Sequence, residues 1–356
     1  MRIGLVAIAM GILFSVCIPV DPPREASLGN FQVIEAGYYS ITSQELMDAI
    51  TFLASPERGG RRNGTGANIS AGNYLIKELE NAGSDFISTA AFQPFRFNEV
   101  RKPTVTIKQL EASRAKGYSI ALEGRNVFAI LEGSTYKNEY VVLGAHYDHL
   151  GTQHGKLYPG ADDNASGSAA IVEIAEAFGA LSQKGMRPER SVVFAFFDAE
   201  EWGLWGSQYF VENPPVPLNQ IVAVINLDVV GRNNTQELEV FGSPDINDFA
   251  QRSPQLNGAL NDANGVLGFK LLFPEEKGGR EQIFFRSDHA SFFFARSEGN
   301  RIPVVFLTSG LHNDYHKPSD TAKKINSEKA QNIARLAFLM AWQVATQDEQ
   351  PVFVEK

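Results

Sequence analysis

The residues best suited to chemistry in this sequence are histidines and carboxylates that directly follow apolar runs. All six histidines lie between His146 and His316, and no cysteine accompanies them there. Histidine and carboxylate ligands without cysteine suit borderline or hard divalent cations, Zn²⁺ above all, although Co²⁺ or Mn²⁺ could occupy the same ligands. The pattern therefore indicates a metal site.

Four polar clusters begin where a buried apolar run ends. They read HYDHLG after YVVLGA, DAEEWG after SVVFAFF, DVVG after IVAVINL and SGLHNDYHKPSDT after IPVVFLT. A fifth cluster, YPGADDNASG at 158–167, precedes a predicted helix, where the helix dipole favours negative charge. In an open α/β sheet, ligands bind beyond the carboxyl ends of the strands. We therefore expect these clusters to meet at one edge of a sheet.

Two glutamates, Glu200 and Glu201, are adjacent in FDAEEWG. Neighbouring side chains at the end of a strand point in different directions. One of them can therefore bind a metal ion while the other moves protons.

The apolar runs predict the strands of that sheet. They cover residues 127–131, 140–145, 191–197, 221–227 and 302–308, and each is too continuous for a half-exposed strand. Helical patterns alternate with them at 166–181 and 327–346, with Asn164 and Ser327 as N-caps. The predicted fold is α/β, with a doubly wound, largely parallel mixed sheet covered by helices on both faces.

Two amphipathic helices are predicted ahead of the sheet, between residues 41 and 83. The first places Leu46, Ile50 and Leu53 on one face, and the second ends at Gly83. We find no linker beyond residue 40, so residues 24–40 are interpreted as a lead segment, 41–346 as a single catalytic domain and 347–356 as a tail.

Residues 1–23, MRIGLVAIAMGILFSVCIPVDPP, indicate a secretory signal peptide or a short membrane anchor. We therefore expect an exported protein, either periplasmic, anchored in the cell envelope or secreted. Cys17, the only cysteine, is a candidate lipidation site, but the bulky Val16 precedes it, so lipoprotein and free secretion both stay open. A mature chain without cysteine forms no disulfide.

The net charge of −9 argues against nucleic acid or an anionic membrane surface as the main partner. Membrane contact is expected only through a lipid anchor at the N-terminus. The sequence does not predict an oligomeric state.

The ordered motifs GAHYDHLG, PGADDNASG, FFDAEEWGLWGS, NLDVVG and DYHKPSDT resemble those of the secreted zinc-dependent exopeptidases related to bacterial leucine-type aminopeptidases. The resemblance extends over residues 41–345. It implies a zinc exopeptidase fold, two co-catalytic Zn²⁺ ions per chain and a peptide substrate with a free N-terminus. The expected reaction is hydrolysis of the N-terminal peptide bond by a water molecule that bridges the two ions.

The resemblance also implies a set of metal ligands. They are His146, Asp163, Glu201, Asp228 and His316. Asp163 would bridge the two ions, and the peptide bond between Asp163 and Asn164 is expected to be cis. His146 and Asp228 would complete the first site, and the other two ligands the second.

Three further residues receive catalytic roles from the resemblance. Glu200 would be the general base, and Asp148 would orient the imidazole of His146. Tyr315 would stabilise the tetrahedral oxyanion.

The remaining histidines are not assigned to metal. His149 and His154 are interpreted as solvated loop residues, and His289 and His312 as structural hydrogen-bonding residues. The stretch IFFRSDHASFFF at 283–294 is interpreted mainly as core, with a hint of an apolar pocket for a hydrophobic first residue. Residues 232–280 match the family least, and such segments often decide substrate choice.

Two other functions remain as alternatives. A glutaminyl cyclase-like enzyme would use one zinc, bound by Asp163, Glu201 and His316, but the presence of His146 and Asp228 favours two ions. A non-catalytic binding domain on the same fold is the other alternative. The sequence does not separate aminopeptidase from dipeptidase or carboxypeptidase action.

Overall fold

The computed structural model describes residues 31–83, 87–97, 122–243, 249–274 and 283–355. The predicted signal or anchor at 1–23, including Cys17, lies outside these residues. None of the helices in the described ranges has the length and apolar character needed to cross a membrane.

Helices and strands alternate along most of the described chain. The α-helices are α1 (Phe31–Ser40), α2 (Ser43–Leu53), α3 (Gly66–Ala82), α4 (Gly167–Gln183), α5 (Trp205–Glu212), α6 (Phe249–Arg252), α7 (Pro254–Leu267), α8 (His289–Phe294) and α9 (Ser327–Thr346). The strands are β1 (Ile87–Phe97), β2 (Leu122–Leu131), β3 (Tyr136–His146), β4 (Gly151–Gln153), β5 (Lys156–Tyr158), β6 (Arg190–Phe197), β7 (Ile221–Leu227), β8 (Glu237–Phe241), β9 (Lys270–Leu272) and β10 (Val304–Thr308). All five predicted strands are therefore present.

The main sheet has eight strands in the order β1-β2-β6-β3-β7-β10-β8-β9. Its centre, β6-β3-β7-β10, is parallel throughout. The pairs β1-β2, β2-β6 and β10-β8 are antiparallel, and β4-β5 form a separate hairpin. The prediction of a largely parallel mixed sheet is confirmed.

Both faces of the sheet are buried, which explains the continuous apolar runs. In β6, every residue is buried. Val192, Phe194 and Phe196 pack into one hydrophobic core, with α1 to α4, α7 and α9, while Val193 and Phe197 pack into a second core with α5 and α8. Side chains alternate between faces along a strand, so a strand covered on both sides needs apolar residues at every position.

Capping side chains fix the helix starts. The side chain of Asn164 accepts a hydrogen bond from the backbone N–H of Gly167, the first residue of α4, at 2.9 Å, but the cap position is that of Ser166, two residues after the predicted one. The α9 cap is Asn326, whose side chain accepts from the N–H of Lys329 at 3.0 Å, so the prediction of Ser327 was wrong by one residue. In α1, Phe31, Ile34 and Tyr38 are part of the first core.

The contact between α3 and α4 yields a test of packing. A Cβ added to Gly179 of α4 would lie 1.7 Å from the carbonyl oxygen of Ala82, whereas a Cβ on Gly258 of α7 would meet no atom within 4 Å. We expect Gly179→Ala to lower the free energy of unfolding by about 1–3 kcal/mol, because the helices must separate. Gly258→Ala should raise it by up to about 1 kcal/mol through helix propensity.

Chemical denaturation of both variants and the wild type measures the difference. Equal effects of the two substitutions would show that the α3–α4 contact does not restrict residue 179.

Candidate metal centre

The predicted site residues meet at the carboxyl ends of neighbouring parallel strands. His146 is the last residue of β3 and pairs in register with Phe197, the last residue of β6. Glu200 and Glu201 follow β6 closely, and Asp228 follows β7, which lies on the other side of β3. The strand order therefore brings these residues together, as the sequence predicted.

The first group of potential ligands consists of His146, Asp163 and Asp228. The Nε2 atom of His146 lies 3.3 Å from an Oδ1 atom of each aspartate. The Nδ1 atom of His146 faces the backbone carbonyl of Asp148 at 3.3 Å. A hydrogen bond from Nδ1 to that carbonyl leaves the lone pair of Nε2 directed at the two carboxylates, as metal binding requires.

The second group shares Asp163 with the first and adds Glu201 and two histidines. The Nε2 atom of His316 lies 3.0 Å from Oδ2 of Asp163 and 3.1 Å from Oε2 of Glu201. The Nδ1 atom of His149 lies 2.7 Å from Oε1 of Glu201 and 3.7 Å from Oδ2 of Asp163. Asp163 is thus common to both groups, and its role as the bridging carboxylate stays a prediction.

The electrostatics of this site fit a divalent cation. Oδ2 of Asp163 and Oε1 of Glu201 are buried, and the histidine nitrogens near them are not oriented to form hydrogen bonds with them. Burial lowers the pKa of His316, but Asp163 and Glu201 together raise it to about 11. Buried carboxylate oxygens without donors are costly unless a positive charge compensates them. The histidine nitrogens and carboxylate oxygens are ligands that zinc accepts.

The loop that carries Asp163 is tied to its surroundings on several sides. The peptide bond between Asp163 and Asn164 is cis, as expected. The side-chain amide of Asn164 donates to the carbonyl of Leu227 at 2.9 Å, next to Asp228. The carboxylate of Asp320 accepts from the N–H of Asp163 at 3.1 Å. Asp320 lies within the DYHKPSDT motif, but its role could not be assigned from spacing alone.

The carboxylate of Asp148 is not the group nearest to Nδ1 of His146, although Asp148 was predicted to orient that imidazole. Its carboxylate lies 3.7 Å from Nδ1 of His146, and its backbone carbonyl, at 3.3 Å, is the closer acceptor. The carboxylate instead accepts from the backbone N–H of Glu200 at 3.0 Å. Asp148 therefore supports His146 through its main chain and the proposed base through its side chain.

Glu200 lies among charged neighbours at this edge of the sheet. Burial raises the pKa of its carboxyl group well above the usual range, and the charges of Glu201, Asp288 and Asp228 act in the same direction, against His146. A carboxyl group with a raised pKa is suited to accept and return a proton.

Tyr315 lies directly on a potential ligand. Its ring stacks on that of His316, with centroids 3.9 Å apart and planes 17° apart. Its hydroxyl oxygen accepts a hydrogen bond from Arg286 at 3.2 Å. Burial raises the pKa of Tyr315 well above its usual value, with the charges of nearby carboxylates adding to the effect, so the hydroxyl group keeps its proton.

The interpretation of His149 as a solvated loop residue was wrong. Its side chain is fully buried, and neither ring nitrogen forms a hydrogen bond of good geometry with a described residue, although Nδ1 lies 2.7 Å from Oε1 of Glu201. Gly160 makes room for the ring, since a Cβ there would lie 2.4 Å from Cγ of His149. His149 follows His146 by three residues in HYDH, which was the available signal in the sequence. Its place among the potential ligands is shown only by its contact with Glu201, which is distant in the chain.

The other histidines lie away from the two groups. His154 is exposed. His289 is buried between the rings of Phe284 and Phe306, with centroids 4.7 Å away in each case, and burial lowers its pKa to about 3. The Nε2 atom of His312 lies 3.3 Å from Oδ2 of Asp162.

Arg61 is a buried residue of the site region that the sequence did not indicate. Its guanidinium group donates to the carbonyls of Tyr147, Pro159 and Gly160, each at 2.8 Å. It thereby joins the loop after β3 to the loop before Asp163. Burial lowers its pKa to about 10, which still leaves it charged at neutral pH.

Backbone strain is concentrated at the same edge of the sheet. Ala199, Val229 and His316 have positive φ angles of 59°, 56° and 54°. The first precedes Glu200, the second follows Asp228, and the third is itself a potential ligand. Such conformations are costly for residues other than glycine and cluster at functional sites.

The chain is similar in sequence and in fold to known aminopeptidases. Aminopeptidase YwaD of Bacillus subtilis (strain 168) is 24% identical over 273 residues, which cover 73% of this chain and 55% of that protein. The chain thus spans about half the length of this curated relative. The aminopeptidase from Aneurinibacillus sp. strain AM-1 superimposes with a TM-score of 0.66 at 18% identity, covering 92% of this chain and 98% of that one.

A glutaminyl cyclase has a similar fold. The enzyme from Porphyromonas gingivalis superimposes with a TM-score of 0.62 at 20% identity, covering 84% of this chain and 97% of that one.

The family model described as "Peptidase family M28" matches residues 126–341, which include every ligand and catalytic residue predicted above. The chain therefore belongs to Peptidase family M28.

Proposed function

We propose that the chain is a zinc-dependent aminopeptidase that hydrolyses the N-terminal peptide bond of peptides. The observation that carries this proposal is the position of Asp163, whose carboxylate is shared by two groups of potential ligands beside Glu200. One group offers His146, Asp163 and Asp228, and the other offers Asp163, Glu201, His149 and His316. This arrangement supports the proposal of two ions per chain.

Residues of the chain would transfer the proton and stabilise the negative charge during hydrolysis. Zinc, when bound, polarises the scissile carbonyl and lowers the pKa of water. Glu200 accepts a proton from the attacking water as the water oxygen bonds to the carbonyl carbon. It then delivers that proton to the amide nitrogen as the C–N bond breaks. The protonated hydroxyl of Tyr315 is the group to hydrogen-bond the negative charge that develops on the carbonyl oxygen.

A cleft beside Glu201 would receive the peptide beyond the first residue. It encloses about 480 Å³, and its lining includes Arg62, Leu150 and Trp202. The guanidinium group of Arg62 lies over the ring of Trp202, 5.0 Å from its centroid. An open cleft of this size accepts a chain whose length is not fixed, as an exopeptidase requires.

The alternative of a single-zinc glutaminyl cyclase is compatible with the shared fold. The His146–Asp163–Asp228 group favours the peptidase, because a one-ion enzyme would leave His146 and Asp228 without a metal. The number of zinc ions bound per chain separates the two functions.

The two adjacent glutamates should respond differently to removal of charge. Glu200→Gln should lower kcat by about 10²- to 10⁴-fold with zinc content unchanged, because it removes only the proton acceptor. Glu201→Gln should lower the zinc content itself. Kinetics and elemental analysis of the same preparations measure both effects, and wild-type turnover in Glu200→Gln would refute the assignment of the base.

His149 provides a second test of the metal site. We expect His149→Ala to weaken binding of one of the two ions by about 10- to 100-fold, the usual loss for a residue that binds or orients a ligand. Zinc titration with a competing chelator measures this affinity. His154→Ala, which removes an exposed histidine, should keep the zinc affinity of the wild type. If both variants bind zinc alike, His149 is a packing residue.

The direction of cleavage can be tested with one peptide in two forms. The unblocked peptide should lose a single residue from its N-terminus, and its N-acetylated copy should stay intact. Product masses identify the residue removed, and elemental analysis should give about two zinc ions per chain. Cleavage of the acetylated copy, or one zinc with cyclised products from N-terminal glutamine, would contradict the proposal.

A further inference from the structure

Asp198 carries a buried carboxylate outside the two groups of potential metal ligands. It is the first residue after β6 and precedes Glu200 by two positions. Its side chain is fully buried. A buried carboxylate is costly unless hydrogen-bond donors surround it, and an apolar side chain would avoid that cost. The hydrogen bonds of Asp198 therefore need an explanation.

Three donors from separate parts of the chain hold this carboxylate. Its Oδ1 atom accepts from the side-chain amide of Asn68 in α3 at 3.0 Å and from the backbone N–H of Ala199 at 2.8 Å. Its Oδ2 atom accepts from the backbone N–H of Arg125 at 2.9 Å. Arg125 is in β2, the neighbour of β6 in the sheet. Asp198 thereby ties the end of β6 to a neighbouring strand and to a helix.

The main chain of Asp198 is held as well. Its backbone N–H donates to Oδ1 of Asn126 at 3.1 Å. Gly206 of α5 packs directly against its carbonyl group, since a Cβ added there would lie 2.2 Å from the carbonyl oxygen. These contacts fix the peptide groups on both sides of Asp198.

Ala199 links Asp198 to the proposed base in a conformation that alanine rarely adopts. Its φ angle is 59°, in the left-handed region that favours glycine. The hydrogen bond from the N–H of Ala199 to the Asp198 carboxylate supports this turn directly. The turn decides the direction in which the main chain enters Glu200.

The carboxyl group of Glu200 depends on that direction. Among the described residues, every hydrogen bond of Glu200 involves its main chain. Its N–H donates to Asp148 at 3.0 Å, and its carbonyl accepts from Gly203 at 2.7 Å and from Leu204 at 2.9 Å. Glu201 differs, because the rings of His149 and His316 lie against its carboxylate. The side chain of Glu200 therefore takes its position from the turn that precedes it.

Building on the proposed role of Glu200 as the general base, we propose that Asp198 is a positioning residue that holds the Glu200 carboxyl group at the metal centre. Its carboxylate fixes the turn at Ala199 against β2 and α3, and this turn sets the main-chain direction of Glu200. Asp198 acts through Glu200 and not on the substrate. Its loss should therefore affect the chemical step more than substrate binding or metal binding.

Asp198→Ala removes the acceptor of all three hydrogen bonds. With an unblocked peptide that the zinc-loaded wild type cleaves, we expect kcat to fall by about 10- to 100-fold, because a base displaced by about 1 Å loses most of its effect. KM and the zinc content of the zinc-saturated enzyme should stay within about twofold of the wild type. Asp198→Asn keeps an oxygen that can accept from Ala199, so its kcat should fall by only about three- to tenfold.

The double variant with Glu200→Gln provides the sharper readout. Once the base is absent there is nothing left to position, so adding Asp198→Ala to Glu200→Gln should change the residual kcat by less than about twofold. Independent roles would instead lower the residual kcat by the same factor as in the wild-type background. Such a multiplication of the two effects would overturn the proposal.

Gly179→Ala is the matched control for lost stability. Gly179 is in α4, where an added Cβ would meet the carbonyl of Ala82, and it is not among the contacts of Asp198. Assayed at a temperature at which it is folded, Gly179→Ala should keep the wild-type kcat. An equal loss of kcat in Gly179→Ala and Asp198→Ala would attribute both losses to stability and refute a positioning role.

The remaining outcomes separate this proposal from the proposed function. A wild-type kcat in Asp198→Ala, or a zinc content that falls with kcat, contradicts the role of Asp198. If Asp198→Ala does not fold, Asp198→Asn alone and combined with Glu200→Gln gives the same comparison. Wild-type turnover in Glu200→Gln alone refutes the assignment of the base, and the positioning role falls with it.

Discussion

The structure depends most on one buried carboxylate that faces three histidines. Burial alone would raise the pKa of Asp163, but His149, His146 and His316 hold it well below the usual range. An ionised carboxylate is stable at such depth only when positive charge and hydrogen bonds surround it. The histidine rings supply the positive charge, and the hydrogen bond from the Asp163 backbone N–H to Asp320 fixes the loop that carries the carboxylate.

The sheet could be predicted well from the sequence because its physical signal is local. A strand covered on both faces needs apolar residues at every position, and β6 and β7 have them without interruption. Polar residues directly after such strands then had to meet at one edge, so His146, Glu201 and Asp228 could be placed together before any coordinates were known. The edge strands β8 and β9 lack this continuous pattern and were not predicted.

The remaining parts of the site could not be predicted because they depend on contacts between distant segments. Arg61 belongs to a loop far along the chain from the motifs that it supports. His149 looked like a loop residue, since its sequence neighbours do not reveal that Glu201 and Gly160 enclose it. The support that Asp148 gives to His146 comes from a backbone carbonyl, which no side-chain pattern encodes. Similarity of fold does not identify the reaction, because aminopeptidases and glutaminyl cyclases share this fold.

The hydrogen bonds of Arg61 bear on how the protein would acquire its metal. Because one guanidinium group joins the loop after β3 to the loop before Asp163, both ligand-bearing loops are fixed by the protein alone. In small zinc domains, by contrast, the ion must organise the chain and much of its binding free energy is consumed as folding free energy. Here little conformational entropy remains to be lost when an ion enters. The metal-free chain should therefore keep its native shape, and stripping the metal should be reversible.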